Sequence, residues 1–147
     1  MEVEVVAESV IHAPRVEVAA YMFDPTNDAA WIAGVVEARL LTPGPLRPRS
    51  KVERAVRLLG RRFRYVAEVM AHEPARSLEM FTAEPYTMLV RYQLESLHPG
   101  TRVWVRVSAN GSTFFQMAPP LLSAILRHNI QRDLKRLRRN LMTPRGA

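Results

Sequence analysis

The segment PPLLSAILRHNIQRDLKRLRRNL, residues 119–141, has the pattern of one long amphipathic helix. Its apolar residues recur every three or four positions, at Leu122, Leu126, Ile130, Leu134, Leu137 and Leu141. That spacing places them on a single stripe of an α-helix, while most arginines and lysines of the segment lie off the stripe. An apolar stripe has to be covered by another apolar surface, so the preceding chain is expected to supply one.

Most of the chain before this helix alternates apolar and charged residues with the period of two that indicates β-strands. In residues 62–72, for example, Phe63 and Tyr65 share one face, while Arg62 and Arg64 share the other. The predicted strands are residues 2–12, 35–41, 51–59, 62–72, 78–83, 86–96 and 101–111. One apolar and one charged face predict an antiparallel sheet with water on one side and the helix on the other.

The connections between these elements carry helix and turn signals. Pro14 suits the first turn of a helix that ends before Pro25. Thr26 is the expected N-cap of a second short helix that reaches Ile32. Gly60-Arg61 is the expected type II′ turn between two strands. The sequence therefore predicts an α+β fold with two short helices after the first strand and a long C-terminal helix.

Length and composition fit one ordinary domain over residues 1–147, with 48% hydrophobic and 24% charged residues. The chain has no cysteine, which excludes disulfides, a thiolate nucleophile and a thiolate metal site. The first residues lack the pattern of a secretory signal, and no apolar run approaches the roughly 20 residues of a spanning helix. We therefore expect a cytoplasmic protein.

The order of these elements resembles a known superfamily. A strand, then Ala13-Pro14, Phe23-Asp24-Pro25 and Trp31, then a strand meander containing Gly100-Thr101 and a long last helix resemble the polyketide cyclase/dehydrase and lipid-transport superfamily. These are START-related proteins of the SRPBCC type with a helix-grip fold. The resemblance implies a curved antiparallel sheet wrapped around the C-terminal helix, with an apolar cavity between them. It further implies binding or transport of a lipid, polyketide or aromatic compound there.

Aromatic and aliphatic side chains on the predicted inner faces are the candidate cavity lining. They are Trp31, Tyr65, Phe81, Tyr86, Met88, Tyr92, Leu122 and Leu126. Such residues occur in an ordinary core as often as in a binding site. The tyrosines are the sharper candidates, because a buried phenol needs a hydrogen-bond partner.

Arg54 shares the parity of Val52, Val56 and Leu58, which form the apolar face of their strand. An arginine on that face needs a partner, because an unpaired buried charge is very costly. The partner is either a ligand carboxylate or an internal acid such as Glu79. In the first case Arg54 anchors an acidic head group. The alternative is a bulge or edge position that turns Arg54 outward.

An enzyme of the cyclase or dehydrase type is the alternative function. It would need an acid or base in the pocket, and the candidates are Tyr65, Tyr86, Tyr92, Arg54 and Asp28, none with a diagnostic spacing. The four histidines show no ligand spacing and no glycine-rich phosphate loop is present, so we expect neither a metal nor a cofactor.

Positive charge is concentrated in two segments of a chain whose net charge is +7. Residues 45–64 carry eight basic residues against Glu53, and residues 127–147 carry seven against Asp133. The simplest interpretation is a solvated surface, and the alternative is weak contact with an anionic membrane. Nucleic-acid binding is not expected, because Phe63 and Tyr65 lie on the face opposite the arginines and cannot stack on bases. The oligomeric state stays open.

Overall fold

A computed structural model describes residues 1–142; the last five residues of the predicted domain, Arg145 among them, lie outside the described residues. The strands are β1 Val3–Ile11, β2 Val35–Leu40, β3 Lys51–Leu58, β4 Arg61–Glu73, β5 Ser77–Thr82, β6 Thr87–Ser96 and β7 Thr101–Asn110. The helices are α1 Arg15–Met22, α2 Asp28–Trp31, α3 Ser112–Phe115 and α4 Pro119–Met142, with a 3₁₀ turn at Pro25–Asn27. The predicted α+β helix-grip architecture is confirmed.

The seven strands form one antiparallel sheet in the order β1-β7-β6-β5-β4-β3-β2. Strands β2 to β7 are neighbours in sequence order, and β1 pairs with β7, so the first and the last strand lie side by side. Alternation along each strand separates a buried face from a wet one, as in β7, where Val103 and Val105 are buried and Arg106 is exposed. The buried faces together make the concave surface that α4 covers.

Helix α4 packs its predicted stripe on the sheet, but its two halves differ. Leu134 and Leu137 in the second half are 2% and 0% exposed and belong to the main core. Leu126 and Ile130 in the first half are only partly buried. The second half therefore closes the core, and the first half leaves space above the sheet.

Two local predictions need correction. The turn between β3 and β4 is Leu59-Gly60 and not Gly60-Arg61, because Leu58 pairs with Arg61. Both turn residues have positive φ, 52° and 77°, which is the pattern of a type I′ turn and matches the strand twist. The cap of the 3₁₀ turn is Asp24, whose carboxylate accepts from the Thr26 N–H at 3.0 Å, so Thr26 is not the cap.

Candidate ligand-binding cavity

A cavity of about 300 Å³ lies between the sheet and the first half of α4. Strands β3, β4, β6 and β7 form its floor, α4 forms its roof, and the α2–β2 connection and α3 contribute to the sides. Its volume is at the lower end of the roughly 300–1,000 Å³ of small-molecule sites. The cavity lies where the helix stripe is only half-buried, at Leu126 and Ile130.

The structure brings eight of the nine candidate site residues to the cavity wall. These are Trp31, Arg54, Tyr65, Tyr86, Met88, Tyr92, Leu122 and Leu126. Phe81 does not line the cavity and is the correction to the set. Leu78, Met80 and Thr82 take the buried face of β5, so alternation places Phe81 on the opposite face, half-buried.

Arg54 faces inward and is 4% exposed. Its Nε donates to Asp28 Oδ2 at 2.9 Å, its Nη2 lies 2.8 Å from the same oxygen, and its Nη1 donates to the Tyr65 hydroxyl at 3.1 Å. Tyr65 is the directly opposite residue on β4, while Asp28 begins α2. The partner of Arg54 is therefore an internal acid and not a ligand carboxylate, which was one of the two alternatives. That acid is not Glu79, which lies half-buried on the other face of β5.

Burial and mutual attraction change the pKa values of Arg54 and Asp28 in opposite directions, because burial favours the neutral forms and attraction favours the charged forms. Burial alone would lower the pKa of Arg54, but Tyr65 and Asp28 raise it well above its usual value. Burial raises the pKa of the Asp28 carboxyl, and the Arg54 charge and hydrogen bond oppose that rise. Arginine keeps its proton, and its charge and hydrogen bond favour the ionised form of Asp28, so the two groups form a buried ion pair with 2.8 Å between Nη2 and Oδ2.

The aromatic wall continues on both sides of the ion pair. Trp31 and Tyr92 are in contact, with ring centroids 5.8 Å apart, and Tyr86 packs edge-on against Phe115 at 5.2 Å. Burial raises the pKa values of the Tyr86 and Tyr92 phenols above the ordinary tyrosine value. Both phenols are therefore neutral hydroxyl groups at physiological pH.

The exposed lining residues mark the mouth of the cavity. Ala33, Arg57 and Arg132 line it and are open to solvent. Between them lies Asp133 of α4, which is 9% exposed and accepts a hydrogen bond from the Ala33 N–H at 3.1 Å. Burial raises the pKa of Asp133 to about 6, although Ala33, Arg136 and Arg132 lower it.

Sequence reasoning missed three residues of this site. Phe115 belongs to the short helix α3, which has no capping or periodic signal in the sequence. Asp133 carried a usable signal, because it is three residues after Ile130 and four before Leu137, on the apolar stripe itself. Arg57 is on the exposed face of β3 and reaches the mouth only at the end of the strand.

Within residues 1–142, no group of three or more histidine, aspartate or glutamate side chains is placed to hold a metal ion. Within the same residues, no helix has the length and apolar character needed to span a membrane.

Solved structures with the same fold are distant in sequence. The Thermus thermophilus protein TTHA0849 superposes with a TM-score of 0.78 at 17% identity, over 95% of this chain and 97% of its own. A START superfamily protein from Mycobacterium smegmatis gives 0.78 at 12% identity, over 94% and 96%. The di-domain ARO/CYC protein BexL of the BE-7585A biosynthetic pathway gives 0.73 at 13%, over 94% of this chain and 46% of its own. At these identities the likeness shows the fold alone.

Family membership rests on a sequence model and not on these superpositions. No curated protein is significantly similar to the chain in sequence. The family model described as "Polyketide cyclase / dehydrase and lipid transport" matches residues 2–142, nearly the whole chain. The match covers β1 through α4 and so includes every element that forms the cavity. The chain belongs to the polyketide cyclase/dehydrase and lipid transport family.

Proposed function

We propose that this protein binds or carries a hydrophobic small molecule, a lipid, polyketide or aromatic compound, in the cavity under α4. The observation that carries the proposal is an apolar space of about 300 Å³ with one buried polar cluster on its wall. Few, fixed polar groups in a mainly apolar wall are the usual design of a small-molecule site, because apolar contact gives affinity and polar contact gives orientation.

A blocking variant tests occupancy of this space. Leu126 is half-buried and lines the cavity, whereas Leu121 is 55% exposed and does not. Leu126→Trp should therefore fill the space and weaken binding of an environment-sensitive naphthalene dye at least tenfold. Leu121→Trp, the matched control on the same helix, should change it less than twofold. Equal affinity in the two variants and the natural protein would contradict a ligand under α4.

The second candidate function is a cyclase or dehydrase acting on an aromatic polyketide-like substrate, favoured by the placement of Arg54 and Tyr65 on the cavity wall with Asp28 bonded to Arg54. Acid–base catalysis requires a group that can exchange a proton near the working pH. Asp28 is engaged in an ion pair, and the pKa of Tyr92 is raised by burial, so both are poor exchangers. The cavity group with a pKa closer to neutral, about 6, is Asp133, which lies at the mouth and not beside Arg54 and Tyr65. Loss of water from an added linear poly-β-ketone thioester would favour the enzyme; its recovery unchanged would favour the carrier.

Weak contact with an anionic membrane is a further part of this proposal. The segments at and beside the mouth, residues 32–34, 57–62 and 126–133, contain five arginines against one acidic residue, the buried Asp133. The five are Arg57, Arg61, Arg62, Arg127 and Arg132, and all are exposed. Basic residues near a membrane surface contribute about 1 kcal/mol each, which suits transient docking of the open end of the cavity.

A further inference from the structure

The polar end of the cavity is balanced in charge. Arg54 and Asp28 are 4% and 1% exposed, and their charged groups are 2.8 Å apart. The nearby Tyr92 phenol stays neutral, because burial raises its pKa. A second negative charge brought here would lose its hydration and meet Asp28, with no uncompensated positive charge to receive it.

This balanced end still offers hydrogen-bond donors. A guanidinium has five N–H groups. In the described residues, Asp28 engages Nε and Nη2, and Tyr65 accepts from Nη1. These three contacts leave two N–H groups of Arg54, and the two phenols keep their own O–H groups to donate.

The indole of Trp31 adds a further hydrogen-bond donor in the cavity wall. It lines the cavity, is 2% exposed, and its Nε1–H has no hydrogen-bond partner among residues 1–142. An indole N–H can only donate, and a buried donor left unpaired costs about 1–3 kcal/mol. An oxygen acceptor on a ligand would relieve that cost.

Building on the proposed function, we propose that the Arg54–Asp28 end selects ligands bearing a neutral oxygen acceptor, such as a ketone or ester carbonyl, over carboxylic acids of the same skeleton. In this arrangement Asp28 determines the preference, because it cancels the Arg54 charge that would otherwise attract an anion. Trp31 and the guanidinium supply the donors that recognise the oxygen. This reverses the expectation that Arg54 anchors an acidic head group.

Three naphthalene probes of matched shape test the preference: 2-acetylnaphthalene, 2-naphthoic acid and 2-ethylnaphthalene, titrated calorimetrically at pH 7.5. We expect the ketone to bind at least tenfold more tightly than the acid and at least threefold more tightly than the hydrocarbon. Tighter binding of the acid than of the ketone would overturn the proposal. Failure of all three to bind would instead count against the proposed function itself.

Substitutions then test the roles of the two residues. Asp28→Asn should raise affinity for 2-naphthoic acid at least tenfold and leave the ketone within threefold. Asp133→Asn removes a carboxylate that lines the cavity at its mouth, away from Arg54, and should raise acid binding less than threefold. Equal gains in the two variants would overturn the assignment to Asp28.

Arg54→Met/Asp28→Leu replaces both charges together and leaves neither unpaired. It should abolish the advantage of the ketone over 2-ethylnaphthalene, and retention of that advantage would overturn the role of the pair even if Asp28→Asn fails to fold.

Discussion

Asp133 Oδ1 accepts a hydrogen bond from the backbone N–H of Ala33 at 3.1 Å, across 100 residues of sequence. This contact joins the middle of α4 to the connection between α2 and β2 at the mouth of the cavity. It also buries a carboxyl group whose pKa, about 6, is raised mainly by loss of hydration. Burial of this carboxyl at the mouth, opposed in part by the hydrogen bond from Ala33, therefore makes stability depend on pH.

The first prediction concerns that dependence. The folded pKa of Asp133, about 6, lies above the ordinary carboxyl value of 3.8, so the folded state binds the proton more tightly. The free energy of unfolding should therefore lose this contribution as pH rises from about 4 to above 6, by at most roughly 3 kcal/mol. Asp133→Asn keeps an acceptor for Ala33 and removes the charge. Urea denaturation should show the variant gaining on the natural protein across this window, and a constant difference would contradict the pKa.

The second prediction separates the two halves of α4. Leu134→Ala or Leu137→Ala should lower the free energy of unfolding by about 2–5 kcal/mol, because each side chain is fully buried in the core. Leu126→Ala should cost less than half as much, because that side chain borders a space that already exists. Chemical denaturation measures all three. A loss below about 0.5 kcal/mol for both core variants would mean that the helix is not docked.

Much of the fold was predictable because its pattern is repeated along the chain. The alternation in the strands and the apolar stripe at Leu134 and Leu137 each determine which face of the element is buried. A defined buried face limits the ways in which the sheet and the helix can pack together. The turn at Leu59-Gly60 was misplaced by one residue, because Leu59 has a positive φ and leucine is not a residue type that predicts one. Helix α3 was missed because four residues are too few for a period.

Site residues could be predicted only where alternation along a strand, or the stripe of the helix, shows which side chains face inward. Parity placed Arg54 and Tyr65 inward, and Leu126 followed from the stripe. Parity cannot identify partners from distant segments, so Asp28 was a candidate by composition while its ion pair with Arg54 was not foreseen. Phe81 was included for its ring, although the alternation with Met80 already indicated the outer face.

The third prediction uses the two tryptophans as reporters. Trp31 lines the cavity, whereas Trp104 lies on the wet face, 5.6 Å from the Arg102 guanidinium. The chain has only these two tryptophans, so Trp104→Phe leaves a single reporter at the proposed site. Its fluorescence should change when 2-acetylnaphthalene binds.

Trp31→Phe provides the matched control, because it leaves only Trp104 and removes the unpaired indole donor. Its fluorescence should not respond, and affinity for the ketone should fall about five- to tenfold, the loss of one hydrogen bond in a buried site. Circular dichroism checks that both variants are folded. A response from Trp104 alone would place the ligand on the outer face and not under α4.

The last prediction concerns the arginines at the mouth. Arg57→Glu/Arg127→Glu should weaken binding to vesicles of equal parts phosphatidylserine and phosphatidylcholine at least tenfold. Arg76→Glu/Arg138→Glu makes the same change in net charge at exposed positions outside the segments at and beside the mouth, and should weaken it less than threefold. Binding should also fall steeply with salt, since exposed charges act over only about 8 Å at physiological ionic strength. Uptake of neutral 2-acetylnaphthalene should change much less than vesicle binding in the first variant, because the ion pair proposed to receive it is buried and only Arg57 of the two arginines lines the cavity. Equal vesicle losses in the two variants would mean that net charge alone attracts the protein, and that the mouth has no special orientation toward the membrane.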